Sequence, residues 1–137
     1  MRTLYVSAST EFTGKVMNFI ESELAKHNFP AKLRPGILTA VEEIFVNIAA
    51  YAYKPEEKGN VTVSVTIDEK AVIRFVDFGE PFNPLETDAP DLEGPIKDRK
   101  IGGLGIHFVK NMMDNVEYEH TNGKNILTVT KEIDKVK

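Results

Sequence analysis

The chain has 137 residues, a formal net charge of -4, 42% hydrophobic and 28% charged residues, and no cysteine. That length fits one domain over residues 1–137, with a core large enough to need no disulfide or metal staple. The scattered basic residues leave no footprint for nucleic acid, and the absent cysteines remove disulfide frameworks, thiolate nucleophiles and zinc–thiolate sites. Met1 to Thr10 lacks the apolar stretch of a signal peptide, and the longest apolar run, Ile44 to Tyr53, is short and broken by Asn47. A cytoplasmic protein without membrane contact is expected.

Leu4 and Val6 alternate with Thr3, Tyr5 and Ser7, which predicts a short edge-type strand stopping at Ser9-Thr10. Phe12, Val16, Phe19, Ile20 and Leu24 then recur at helical spacing, with Thr10 as the N-cap and Pro30 beyond the end. A second and longest helix is predicted over Lys32 to Tyr53, where Leu38, Val41, Phe45, Ile48 and Ala52 repeat, and the stretch from Pro55 to Gly59 ends it. Val61, Val63, Val65 and Ile67 alternate with polar residues, and Val72, Arg74 and Val76 take up the same spacing beyond a turn at Asp68-Glu69-Lys70, so a hairpin follows.

Asp77 to Ile101 holds four of the seven prolines and little periodicity, the mark of a long loop that covers a ligand. Gly102-Gly103-Leu104-Gly105 opens a third helix carrying Ile106, Val109, Met112 and Met113. Val116 to Tyr118 and Ile126 to Val129 supply closing strands around a turn at Asn122-Gly123, and Glu132 to Lys137 reads as a frayed tail.

Three polar clusters interrupt this apolar frame. Glu43 and Asn47 lie one turn apart on the long helix, a carboxylate beside a carboxamide oxygen, which suits a hard cation such as Mg²⁺ or a polarised nucleophile; a solvated helix face is the plain alternative. Asp77, followed by Phe78 and Gly79, ends a strand with an acceptor for an amino group and a glycine that lets a flat ring approach, or simply forms an Asx-type turn. The glycines at 102, 103 and 105 expose backbone N–H groups at a helix start, an anion cradle suited to phosphates that follows neither the P-loop nor the dinucleotide spacing; a ligand-free turn is the alternative.

Taken jointly, the order and separation of the clusters carry a resemblance. Ala40-Val-Glu-Glu43-Ile-Phe-Val-Asn47-Ile-Ala-Ala-Tyr-Ala-Tyr53 resembles the N box of the GHKL (Bergerat-fold) ATPase superfamily, Val76-Asp77-Phe-Gly79 its adenine box, and the segment from Gly102 to Asp114 its phosphate-lid box. Asn47-Ile-Ala-Ala-Tyr51, Phe82-Asn83-Pro84 and Met113-Asp114-Asn-Val116 are most similar to the anti-sigma-factor serine/threonine kinases of that superfamily. The resemblance implies an α+β fold, a two-layer sandwich with a mixed, mostly antiparallel sheet and the helices on one face. It also implies ATP and Mg²⁺ as cofactors, with Asn47 as the Mg²⁺ ligand, Glu43 as catalytic acid/base and Asp77 reading the adenine amino group. Gly79 would make room for the ring, Gly103, Leu104 and Gly105 would form the phosphate lid, and Thr128, then Thr130, would be the late-strand threonine near the nucleotide. Pro81 stands where the adenine box commonly has a second glycine, and Arg99 or Lys100 would approach a γ-phosphate or remain solvated.

Partners implied by the resemblance are an anti-sigma-factor antagonist as substrate and a sigma factor held by a homodimer. Two rivals remain. One is an ATP-gated binding module without kinase activity, which needs Asn47 and Asp77 but not Glu43. The other is a detached histidine-kinase ATPase domain. His107 reads as a packed or surface histidine rather than a general base, His27 and His120 lack metal-ligand spacing, and Met112 and Met113 read as core.

Overall fold

The sheet is built by alternation. On the strand Asn60–Ile67, Val61, Val63 and Val65 are buried while Thr62, Ser64 and Thr66 look the other way, and on Lys70–Asp77 the buried set is Ala71, Ile73, Phe75 and Asp77. Period-two patterning of this kind leaves one apolar face to be covered, and the helices cover it. A computed structural model of the chain describes residues 1–53, 59–81, 83 and 101–133, without the side chains of 101–105.

In chain order the elements are β1 (Arg2–Ser7), α1 (Thr13–Lys26), α2 (Arg34–Tyr51), β2 (Asn60–Ile67), β3 (Lys70–Asp77), α3 (Ile101–Met112), β4 (Asn115–Thr121) and β5 (Lys124–Glu132). The five strands form one sheet in the order β1-β2-β3-β5-β4, and all four pairings are antiparallel. The fold is therefore the expected α+β two-layer sandwich. Its sheet is wholly antiparallel among the described residues rather than mixed, because each neighbouring pair runs in opposite directions.

Boundaries shift for local reasons. Ser9, not Thr10, caps the first helical segment: its hydroxyl accepts from the Glu11 N–H at 3.4 Å, and a 3₁₀ turn at Thr10–Phe12 precedes α1. A second 3₁₀ turn at Ala31–Leu33 leads into α2, which starts at Arg34 with Pro35 in its first turn and ends at Tyr51, two residues short at each end of the expected span. The turn between β4 and β5 has positive φ at Asn122 (53°) and Gly123 (75°), the geometry that joins tightly twisted antiparallel strands. β5 runs to Glu132, one residue into the stretch read as a tail.

Val16, Ile20 and Leu24 of α1, Ile37, Val41, Ile44 and Phe45 of α2 and Val109 of α3 are buried against Val61, Val63, Ile73, Phe75 and Val129. α2 lies between the other two helices, and Gly36 lets it approach α3 closely: a Cβ there would collide with the Met112 side chain. The carboxy end of α3 is tied to the sheet by Lys131, whose Nζ donates to the Met112 carbonyl at 2.9 Å and stands 3.8 Å from Asp114 Oδ1. No helix among the described residues is long and apolar enough to cross a membrane.

Candidate functional site

Between the carboxy-terminal half of α2, the first turns of α3 and the ends of β3 and β5 lies a partly enclosed pocket. Ile44 and Ile48 of α2, its C-cap residue Ala52, Ile106 of α3, Leu127 of β5 and Tyr118 of β4 give it mostly apolar walls. Three buried polar side chains, Asn47, Asp77 and Asn125, face into it. An apolar slot with few, fixed polar groups suits a flat ligand whose edge carries hydrogen-bonding atoms.

Asp77 is the last residue of β3 and is 4% exposed. Its Oδ1 accepts the Gly79 N–H at 2.9 Å and Asn125 Nδ2 at 2.9 Å, while its Oδ2 bonds to no described residue. The carboxylate is thus held from one side and keeps one oxygen for an incoming donor, as an amino group would be.

The backbone after Asp77 is fastened to the end of α2. Glu80 N–H donates to the Ala52 carbonyl at 3.0 Å, and Phe78 N–H donates at 2.9 Å to the Tyr53 hydroxyl, which donates to the Asn60 carbonyl at 3.0 Å. A Cβ on Gly79 would fall on the Ala52 carbonyl group, so the glycine has a reason inside the fold itself, the close approach of two backbones.

Asn47 is 8% exposed and donates through Nδ2 to the Glu43 backbone carbonyl at 2.9 Å. That bond turns the amide oxygen away from the helix, and Oδ1 bonds to no described residue. Glu43, one turn earlier, is half-buried beside the pocket rather than in its wall, and its carboxylate has no hydrogen bond or ion pair with a described residue. Among the described residues no three His, Asp or Glu side chains are grouped to hold a metal. The donor set fits Mg²⁺ arriving with a polyphosphate, a cation that takes one or two protein oxygens and keeps phosphate and water for the rest.

The glycines at 102, 103 and 105 lie in the first turns of α3, which begins one residue earlier than expected, at Ile101. Ile106, the next residue, lines the pocket, so the start of this helix stands beside it. Residues 84–100, with Arg99 and Lys100, lie outside the described residues.

Thr128 is not brought to the pocket. Along β5 the inward residues are Asn125, Leu127 and Val129, so Thr128 and Thr130 fall on the opposite face, where Arg74 Nε donates to Thr128 Oγ1 at 3.3 Å. The position on β5 that does face Asp77 is Asn125, its direct partner in the pairing of β3 with β5. Sequence reasoning missed Asn125 and Tyr118, although a polar residue in the apolar period Asn125, Leu127, Val129 was a readable signal.

A family model described as a histidine kinase-like ATPase domain matches residues 6–131. Among curated proteins, the chain is 30% identical to the anti-sigma F factor of Clostridium beijerinckii, over 90% of this chain and 91% of that protein. It is 28% identical to the serine-protein kinase RsbW of Listeria monocytogenes (91% and 83% covered) and 22% identical to the serine/threonine-protein kinase BtrW of Bordetella bronchiseptica (93% and 91%). In fold it is similar to the crystal structure of the RsbU and RsbW domains of Rv1364c from Mycobacterium tuberculosis, with a TM-score of 0.64 at 14% identity, over 99% of this chain and 34% of that one. With the boxes around Asn47 and Asp77 meeting at one pocket and the match running through nearly every element, the chain belongs to the family of histidine kinase-like ATPase domains, in its anti-sigma-factor serine-kinase group.

Proposed function

We propose that residues 1–137 form one ATP-dependent serine/threonine protein kinase domain of the cytoplasm, which transfers the γ-phosphate of Mg-ATP to an anti-sigma-factor antagonist and, as a homodimer, holds a sigma factor and so regulates transcription. The observation that carries the reading is the meeting of Asn47 and Asp77, from separate elements, at one apolar pocket beside the start of α3. Asp77 would accept the adenine 6-amino group through Oδ2, and the apolar walls would hold the ring. Asn47 Oδ1 would ligate Mg²⁺, and the amides around Gly103, Leu104 and Gly105 would face the phosphates. Bound Mg²⁺ would neutralise phosphate charge.

In the transfer step a partner serine or threonine oxygen forms a bond to the γ-phosphorus, the bond from that phosphorus to the β,γ-bridging oxygen breaks, and ADP leaves. Glu43, half-buried and without a described partner, would take the hydroxyl proton. Positioning and electrostatics supply most of such catalysis, which is why one base beside a preorganised phosphate site suffices.

The test is incubation of the chain with γ-labelled ATP, Mg²⁺ and a small antagonist protein encoded beside it. Label on a serine or threonine of the antagonist is the expected result. ATP binding with no transfer would instead favour the ATP-gated binding module.

A further inference from the structure

The amide of Asn125 is fully committed inside the protein. Its Nδ2 has two hydrogens and meets Asp77 Oδ1 at 2.9 Å and the Glu80 carbonyl at 2.9 Å, with the Gly79 carbonyl at 3.4 Å, while its Oδ1 accepts the Tyr118 hydroxyl. The orientation is forced, because the flipped amide would set its oxygen against a carboxylate and two carbonyls. With both hydrogens spent, Asn125 has no donor left for a ligand. Its two hydrogens act on the pocket through the groups they hold.

Those groups form the adenine end of the proposed nucleotide site. Asn125 and the Gly79 N–H together occupy Oδ1 of Asp77 and hold its rotamer, which leaves Oδ2 as the oxygen without a described partner on a residue that lines the pocket. It also ties residues 79 and 80, the turn after the strand, to β5, and it is 6% exposed, so water does not replace it. Tyr118 orients the amide from behind while its ring forms part of the wall. We propose that Asn125, oriented by Tyr118, is the positioning residue that sets selectivity for a 6-amino purine, by presenting one aimed oxygen of Asp77 to the exocyclic amine. This rests on the nucleotide reading of the pocket.

The test separates aim from mere support by using a ligand that lacks only the amine. ATP and purine riboside triphosphate are titrated against the wild-type chain, Asn125→Asp, Asn125→Ala and Tyr118→Phe. Asn125→Asp keeps the shape but replaces the donor by an acceptor facing Asp77 and Glu80. Wild type should prefer ATP by about tenfold or more, as expected of a hydrogen bond to a charged group. In both Asn125 variants the ATP affinity should fall by roughly tenfold or more and the preference should shrink towards one, with the des-amino nucleotide bound within about threefold of wild type. Tyr118→Phe, which leaves the amide in place without its rear donor, should show a partial loss of the same preference.

Equal losses for the two nucleotides, or an unchanged preference in the Asn125 variants, would overturn the proposal. If the Asn125 variants do not fold, Tyr118→Phe decides it: an undiminished preference there counts against the role. A wild-type chain that binds both nucleotides alike would overturn the adenine reading of Asp77 itself.

Discussion

Glu43→Gln is expected to reduce phosphate transfer to a partner serine by roughly 10²–10⁴, the usual worth of general acid–base help and equivalent to about 2.7–5.4 kcal/mol of transition-state stabilisation. Glutamine keeps the length and the hydrogen-bonding reach of the side chain but removes the proton acceptor. Glu43 lies beside the pocket rather than in its apolar wall, and no described residue relies on its carboxylate, so neither ATP affinity nor the fold should suffer. A labelled-transfer assay beside a nucleotide titration on the same two proteins measures both quantities. Equal transfer by wild type and variant would remove Glu43 from the chemistry.

Asn47→Ala is expected to abolish the Mg²⁺-dependent part of nucleotide affinity, a loss of at least about tenfold, or about 1.4 kcal/mol. The helix should persist. Alanine is the better helix former, and the Glu43 carbonyl that loses the Asn47 Nδ2 donor lies within the backbone ladder of α2. Titrating ATP with and without Mg²⁺ reads the difference directly, and an enhancement by Mg²⁺ that survives in the variant would move the metal ligand to another residue.

Much of the architecture is legible in the chain because its signals are local. The alternation of Val61, Val63 and Val65 against Thr62, Ser64 and Thr66 fixes both a strand and its buried face, and Asn122-Gly123 marks a hairpin through the positive φ those residues accept. The start of α1 is less so, since a 3₁₀ turn and an α-helix draw on the same capping residues, here Ser9 and Thr10.

The site divides the same way. Asn47 and Asp77 are found by motif, each inside one element. Asn125 becomes part of the site only through the register that pairs it with Asp77, and register is a long-range property that no window of sequence contains. Thr128 illustrates the opposite case. The period of two in Leu127, Thr128 and Val129 already assigns it to the other face of the sheet, so local chemistry argued against the threonine that the resemblance supplied. Gly79 carries a further lesson: a glycine expected to admit a ring is already required by the backbone of Ala52.

Calorimetric titration of the wild-type chain with ATP and with ADP, in the presence of Mg²⁺, tests the central claim most directly. The pocket between α2, α3 and the Asp77 end of β3 predicts saturable binding of one nucleotide per chain with a dissociation constant in the micromolar range, about 8 kcal/mol of binding free energy. No heat of binding at millimolar adenine nucleotide, from a chain shown to be folded, would contradict the account.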